Sequence, residues 1–133
     1  MRLAKILMLF SVLSFFSFTS RPDNHPGPWI FIADKSVSWG ADHDVINLGN
    51  VNDDFRFLKL KVTDGPLKMY DMKVTFDNGE VQDVTIRALI RQGGESRVID
   101  LNGDLRHLTK IEFWYETKGF LHGKARMAVW GRK

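Results

Sequence analysis

From Trp29 onward the chain alternates apolar and polar residues with a period of two, the pattern of strands with one face buried and one wet. Trp29-Ile30-Phe31-Ile32 opens it, and Ser36 to Trp39 and Val45 to Leu48 are short strand candidates. In the longer run Phe55 to Val62, Phe55 and Phe57 share one parity, while Leu58, Leu60 and Val62 share the other. Such a phase break predicts a β-bulge. Tyr70, Met72, Val74 and Phe76 then alternate with polar residues up to Asp77-Asn78-Gly79-Glu80, and Val84, Ile86, Ala88 and Ile90 resume the pattern. Asn-Gly accepts positive φ at both central turn positions, which predicts a two-residue type I′ hairpin. Arg97 to Leu101 forms the next strand, followed by Leu108 to Thr117 with Ile111, Phe113 and Tyr115 on one face. Gly123 to Trp130 is the last, with Ala125, Met127 and Val129 together. Eight or nine strands, frequent turn signals and no helical period predict an all-β fold. The expected architecture is an antiparallel β-sandwich, jelly-roll-like or immunoglobulin-like, with a closed barrel as the alternative.

Residues 1–28 follow another rule. Arg2 and Lys5 precede an uncharged run from Ile6 to Phe18, and Thr19-Ser20 are small. A basic start, a short apolar stretch and small residues predict a helical signal peptide over residues 1–20, too short to span a bilayer, which takes about 20 apolar residues. Residues 21–28, RPDNHPGP, hold three of the four prolines and read as a flexible leader to a single domain over residues 29–133. The expected location is therefore periplasmic or secreted, with no membrane span after cleavage.

Of 133 residues, 44% are apolar and 26% charged, which fits a globular domain. The formal charge of +3 shrinks once residues 1–20 are set aside. Arg2 and Lys5 leave, which brings 19 Lys and Arg down to 17 against 16 Asp and Glu. The remaining charges alternate in sign along the chain, so no basic stripe invites nucleic acid. With no cysteine, disulfides, thiolate metal sites and cysteine nucleophiles are excluded.

Candidate chemistry is sparse. Asp42, Asp44 and Asp54, with Asn50, Asn52 and Asp53 nearby, supply hard oxygen ligands that suit Ca²⁺, although Asp and Asn also populate turns for their own hydrogen-bonding reasons. Asp100-Leu101-Asn102-Gly103-Asp104 resembles a metal loop but reads more simply as a turn. His25, His43, His107 and His122 are scattered, without HExxH spacing, and neither a nucleophile elbow nor a phosphate-binding glycine loop is present. No other cofactor is implied. Arg87, Arg91, Arg97 and Arg106 form a loose basic set that solvated strand faces explain.

The last two strands offer the most distinctive surface. If Ile111, Phe113 and Tyr115 face the core with Ala125, Met127 and Val129, the opposite face carries Glu112, Trp114, Glu116, Lys124, Arg126 and Trp130. A hairpin register pairing Trp114 with Arg126 also pairs Glu116 with Lys124 and Lys110 with Trp130, each a favourable cross-strand pair. Trp114, Arg126 and Trp130 are thus the expected ligand-binding residues, since a Trp exposed on a sheet can stack against a sugar ring. Packing of the indoles under Arg and Lys stems is the plainer alternative.

Four stretches carry a resemblance: Val74-Thr75-Phe76-Asp77-Asn78-Gly79-Glu80-Val81, Gly93 to Leu101, Ile111-Glu112-Phe113-Trp114-Tyr115, and Val129-Trp130-Gly131. Together with Asp42 to Ile46, they resemble a family of small exported bacterial proteins of the Gram-negative periplasm that carries a domain-of-unknown-function label. The resemblance implies export and a β-sandwich over roughly residues 35–131. It supplies no catalytic residues, and the cysteines of some members have no counterpart here.

The leading expectation is a monomeric, non-enzymatic exported module that binds an envelope glycan, peptidoglycan or protein. One alternative is a hydrolase with a loop-assembled site around Asp42, His43 and Asp44. The other is a structural or assembly protein that pairs through an exposed edge strand.

Overall fold

The computed structural model describes residues 27–37, 41–49, 53–117 and 125–133. The expected signal-peptide helix, most of the leader, and Trp39, His25, His122 and Lys124 lie outside these residues. Among the described residues nine strands follow from the alternation: β1 (Ile30–Ser36), β2 (Ala41–Asn47), β3 (Asp54–Phe55), β4 (Phe57–Thr63), β5 (Leu67–Phe76), β6 (Val81–Ile90), β7 (Ile99–Asp100), β8 (Arg106–Glu116) and β9 (Arg126–Arg132). They form two antiparallel sheets and not a closed barrel. One has the order β1-β9-β4-β7, the other β2-β8-β5-β6, with β3 also paired to β8.

The core lies between the sheets. Leu58, Leu60 and Val62 of β4 and Met127 and Val129 of β9 contribute from the four-stranded sheet. Met69, Met72, Val74 and Phe76 of β5 and Leu108, Ile111, Phe113 and Tyr115 of β8 contribute from the five-stranded one. Each of these side chains is almost wholly removed from water, which stabilises the fold by about 1.5–3 kcal/mol per large apolar side chain.

Four local expectations are corrected. The phase break after Phe55 is not a bulge: Asp54–Phe55 pairs with β8, whereas Phe57–Thr63 pairs with β9 and β7, so Arg56 is a corner at which the chain changes sheet. A bulge does occur in β5, where two residues step past one of β8 between Met69 and Asp71. It shifts the phase, so Leu67 and Met69 point inward along with Met72, Val74 and Phe76 while Tyr70 stays out of the core. The Asn78-Gly79 turn is not a two-residue type I′ loop. The Gly79 N–H donates to Phe76 O at 3.0 Å and the Phe76 N–H donates to Glu80 O at 2.9 Å. Only Gly79 has positive φ, at 87°, so the loop is a type I turn followed by a left-handed glycine.

The last correction concerns the strand expected at Arg97–Leu101, which shortens to Ile99–Asp100. Before it the chain still follows the β4 edge, but with a side chain in the ladder: the Leu60 N–H donates to Ser96 Oγ at 2.8 Å while the Ser96 N–H donates to Leu60 O at 2.8 Å.

Side chains close both flanks of the sandwich. On one, Lys35 Nζ donates to Val45 O at 3.1 Å and lies 3.2 Å from Asp44 Oδ1, joining β1 to β2. On the other, Gln82 Nε2 donates to Asp100 O at 2.9 Å, Gln82 Oε1 accepts from the Asn102 N–H at 2.8 Å, and Arg97 Nη2 donates to Thr85 O at 2.7 Å.

Candidate functional site

Trp114 sits in β8, between β2 and β5, and its neighbours Phe113 and Tyr115 fill the core. Strand alternation therefore turns the indole outward. Across the sheet it is flanked by His43 of β2 and Asp71 of β5, and Asp71 is opposite Thr85 of β6. The adjacent outward row is Val45, Glu112, Lys73 and Asp83.

His43 stacks on Trp114 with ring centroids 4.6 Å apart and planes inclined by 22°. It comes from β2, so it covers the β2 side of the indole and leaves the other side turned toward β5 and β6. There a depression of about 410 Å³ is walled by Trp114, Asp71, Lys73, Asp83 and Thr85, with Met72 and Val84 at its base. That volume lies at the small end of ligand pockets, roughly 300–1,000 Å³.

The charges in this region are unevenly matched. Lys110 Nζ is 3.0 Å from Glu112 Oε1, and His43 Nε2 is 3.6 Å from Glu112 Oε2. The hydrogen bond from Lys110 holds the Glu112 carboxyl below its ordinary value, partial desolvation opposes this, and His43 and Lys73 add to the lowering through their charge. Tyr70, displaced outward by the bulge, donates its hydroxyl to Glu116, which raises the phenol pKa. Asp71 and Asp83 are exposed, and neither forms an ion pair within the described residues. The depression thus presents an indole face, two acceptor-only carboxylates, one ammonium and one hydroxyl, a set that suits a small polyol.

The other expected ligand residues lie elsewhere, which corrects the hairpin reading. β8 and β9 belong to different sheets, so Trp114 does not pair with Arg126, nor Lys110 with Trp130. The expected pairing of Glu116 with Lys124 falls outside the described residues, but Glu116 is opposite Lys68. The physical reason is that alternation identifies a strand's inner face without identifying its neighbour. The inward residues of β8 and β9 meet across the sandwich, which leaves their outward residues on opposite sides of the molecule. Arg126 Nε donates to Asp34 Oδ2 at 2.7 Å, and this bond raises the guanidinium pKa. Trp130 packs edge-on against Phe31 with centroids 5.5 Å apart, and its Nε1 is buried with no hydrogen-bond partner among the described residues.

The candidate metal ligands are dispersed as well. Asp44 pairs with Phe113 and Asp54 with His107, six residues along β8, or about 20 Å at 3.3–3.4 Å per residue. Asp44 accepts the Tyr115 hydroxyl at 2.5 Å and pairs with Lys35. Asp54 Oδ1 is 3.0 Å from His107 Nδ1, and Asp42 Oδ1 accepts the His43 N–H at 2.7 Å. Among the described residues no three acidic or histidine side chains are grouped to hold a metal ion. His43 faces outward beside Glu112, whereas Asp44 turns to the β1 flank, so the alternating strand separates the imidazole from that carboxylate.

The family model described as Domain of unknown function (DUF2541) matches residues 6–131. The chain belongs to this family. The DUF2541 match spans both sheets and every residue of the Trp114 depression. No curated protein matches the chain. Among solved structures, Pseudomonas aeruginosa AlgX is similar at 13% identity and a TM-score of 0.46, over 75% of this chain but only 26% of the AlgX chain. The SPBc2 prophage-derived protein YomS is similar at 15% identity and a TM-score of 0.40, over 81% and 95% of the two chains. A mutant of a carbohydrate binding module family 29 is similar at 15% identity and a TM-score of 0.34, over 79% and 89%. Likenesses this remote carry no argument about activity.

The residues that join Trp114 in the depression, Asp71, Lys73, Asp83 and Thr85, escaped the sequence reading because each looks like an ordinary solvated strand position. The signal that could have found them was the apolar phase break between Met69 and Met72, which marks the β5 bulge and places Asp71 on the outward face.

Proposed function

We propose that this DUF2541 protein is a non-enzymatic binding module that holds a glycan segment on the outer face of the five-stranded sheet, with Trp114 as the stacking platform. The observation that carries the reading is the uncovered side of the Trp114 indole, facing a depression lined by hydrogen-bonding groups. Indole faces take up the C–H side of a sugar ring by dispersion and quadrupole contact, and the surrounding carboxylates, ammonium and hydroxyl address its hydroxyl groups. Backing by His43 fixes the ring before the ligand arrives, which lowers the ordering cost of binding. The non-enzymatic part of the reading is supported by the separation of His43 from Asp44 and by the absence, within the described residues, of a grouped metal-ligand set. Export to the periplasm or beyond is part of the same proposal and is supported by the basic, then apolar, start of the chain. No helix among the described residues is long and apolar enough to cross a membrane.

A glycan-array screen of the protein followed by calorimetric titration of the best ligand tests the reading. Trp114→Ala is expected to weaken binding at least tenfold, whereas Trp130→Ala, on the opposite sheet, leaves it within twofold. Undiminished binding by a folded Trp114→Ala variant overturns the assignment.

A further inference from the structure

We infer that the Trp114 depression selects donor-rich neutral or amino sugars and rejects acidic ones. The inference rests on the reading of this depression as a glycan site and specifies its ligand class. Asp71 is next to Trp114 across the strand pair, and Asp83 is opposite Lys73. Both carboxylates line the depression, and neither is neutralised by an ion pair among the described residues. Among the described residues Lys73 is the only cation in the lining, and its charge is shared with Glu112, which it faces across the β5–β8 pair. Lys110 and His43 also serve Glu112. The lining therefore carries a formal excess of one negative charge, Asp71 and Asp83 against Lys73.

An ionised carboxylate offers only acceptors, so Asp71 and Asp83 bind what brings O–H or N–H donors. Vicinal hydroxyls on a ring stacked over Trp114 satisfy this, and an ammonium substituent satisfies it more strongly through its charge. A uronic acid or sulfated sugar stacks on the indole equally well, but it brings acceptors and like charge against the two carboxylates. Selection of this kind works by rejection.

The test is titration of the full chain with three probes: N-acetylchito-oligosaccharides, deacetylated chito-oligosaccharides and oligogalacturonate. The neutral or the amino probe is expected to bind at least tenfold tighter than oligogalacturonate. The double variant Asp71→Asn/Asp83→Asn keeps the side-chain size and is expected to bring that ratio below threefold, with circular dichroism and melting confirming its fold. Trp114→Ala is expected to weaken binding of every probe. If oligogalacturonate binds as tightly as the others and Trp114→Ala still removes binding, charge selection is overturned while the platform stands. A ratio that survives the double variant overturns the role of the two carboxylates. If no probe binds, or binding is indifferent to Trp114, the platform and the selection fall together.

Discussion

Gly131 shows how a single residue is constrained from outside its own strand. It lies in β9 between β1 and β4, pairing with Ile30 and Leu58. A Cβ at this position would sit 2.5 Å from Phe55 Cδ1 and 2.8 Å from Ile32 Cδ1. Phe55 is itself buried at the corner between the sheets, so it has little room to yield. Gly131→Ala is therefore expected to lower stability by about 1–3 kcal/mol, the usual range for overpacking a filled core, as measured by urea denaturation. A loss below about 0.5 kcal/mol, the size of an ordinary surface change, would show that Phe55 can move aside. Sequence alone places a glycine after Trp130 and no more, because the ring that forbids a side chain comes from residue 55. By contrast Gly79 was legible as a turn glycine, since its reason is local: a left-handed φ of 87° that other residues adopt at a cost.

At the scale of elements, the two edge strands β1 and β2 are held by one polar knot. Asp44 accepts the Tyr115 hydroxyl at 2.5 Å and faces Lys35 Nζ at 3.2 Å, while Lys35 also donates to the β2 backbone. Tyr115 is 1% exposed, so the knot reaches from the core to the flank and ties strands of opposite sheets. Asp44→Ala removes an acceptor from a buried phenol and an anion from Lys35. It should cost about 1–3 kcal/mol, with Asp44→Asn losing less because it retains an acceptor. Equal melting of Asp44→Ala and the parent protein would show that the knot contributes nothing. The sequence offered Asp44 as a metal ligand or catalytic acid because its neighbours are acidic or histidine. Its actual partners are not its chain neighbours: Tyr115 reaches it through the pairing of β2 with β8, and Lys35 through the packing of β1 of the other sheet beside β2. On the opposite flank Gln82 and Arg97 occupy backbone groups of neighbouring segments in the same way.

At the scale of the whole molecule, the path of the chain decides which surfaces exist. Among the described strands only β5 and β6 form a hairpin between sequence neighbours in one sheet, whereas β8 and β9 lie in different sheets. Trp114 and Trp130 consequently occupy opposite outer faces, separated by two sheets packed about 10 Å apart. Their stability effects should be independent: the Trp114→Ala/Trp130→Ala double variant is expected to lose the sum of the single losses within about 0.5 kcal/mol. A coupling above 1 kcal/mol would contradict this separation. By itself the sequence determined the all-β class, nearly every strand, the inward residues of β4, β8 and β9, and the turn at Gly79, because alternation and turn chemistry act over a few neighbouring residues. The tertiary structure alone decided that Arg56 turns a corner and that Trp114 shares its face with His43, Asp71 and Thr85 instead of Arg126 and Trp130. Those outcomes depend on which strand lies beside which, a choice made by burying both inner faces at once, and no local pattern records it.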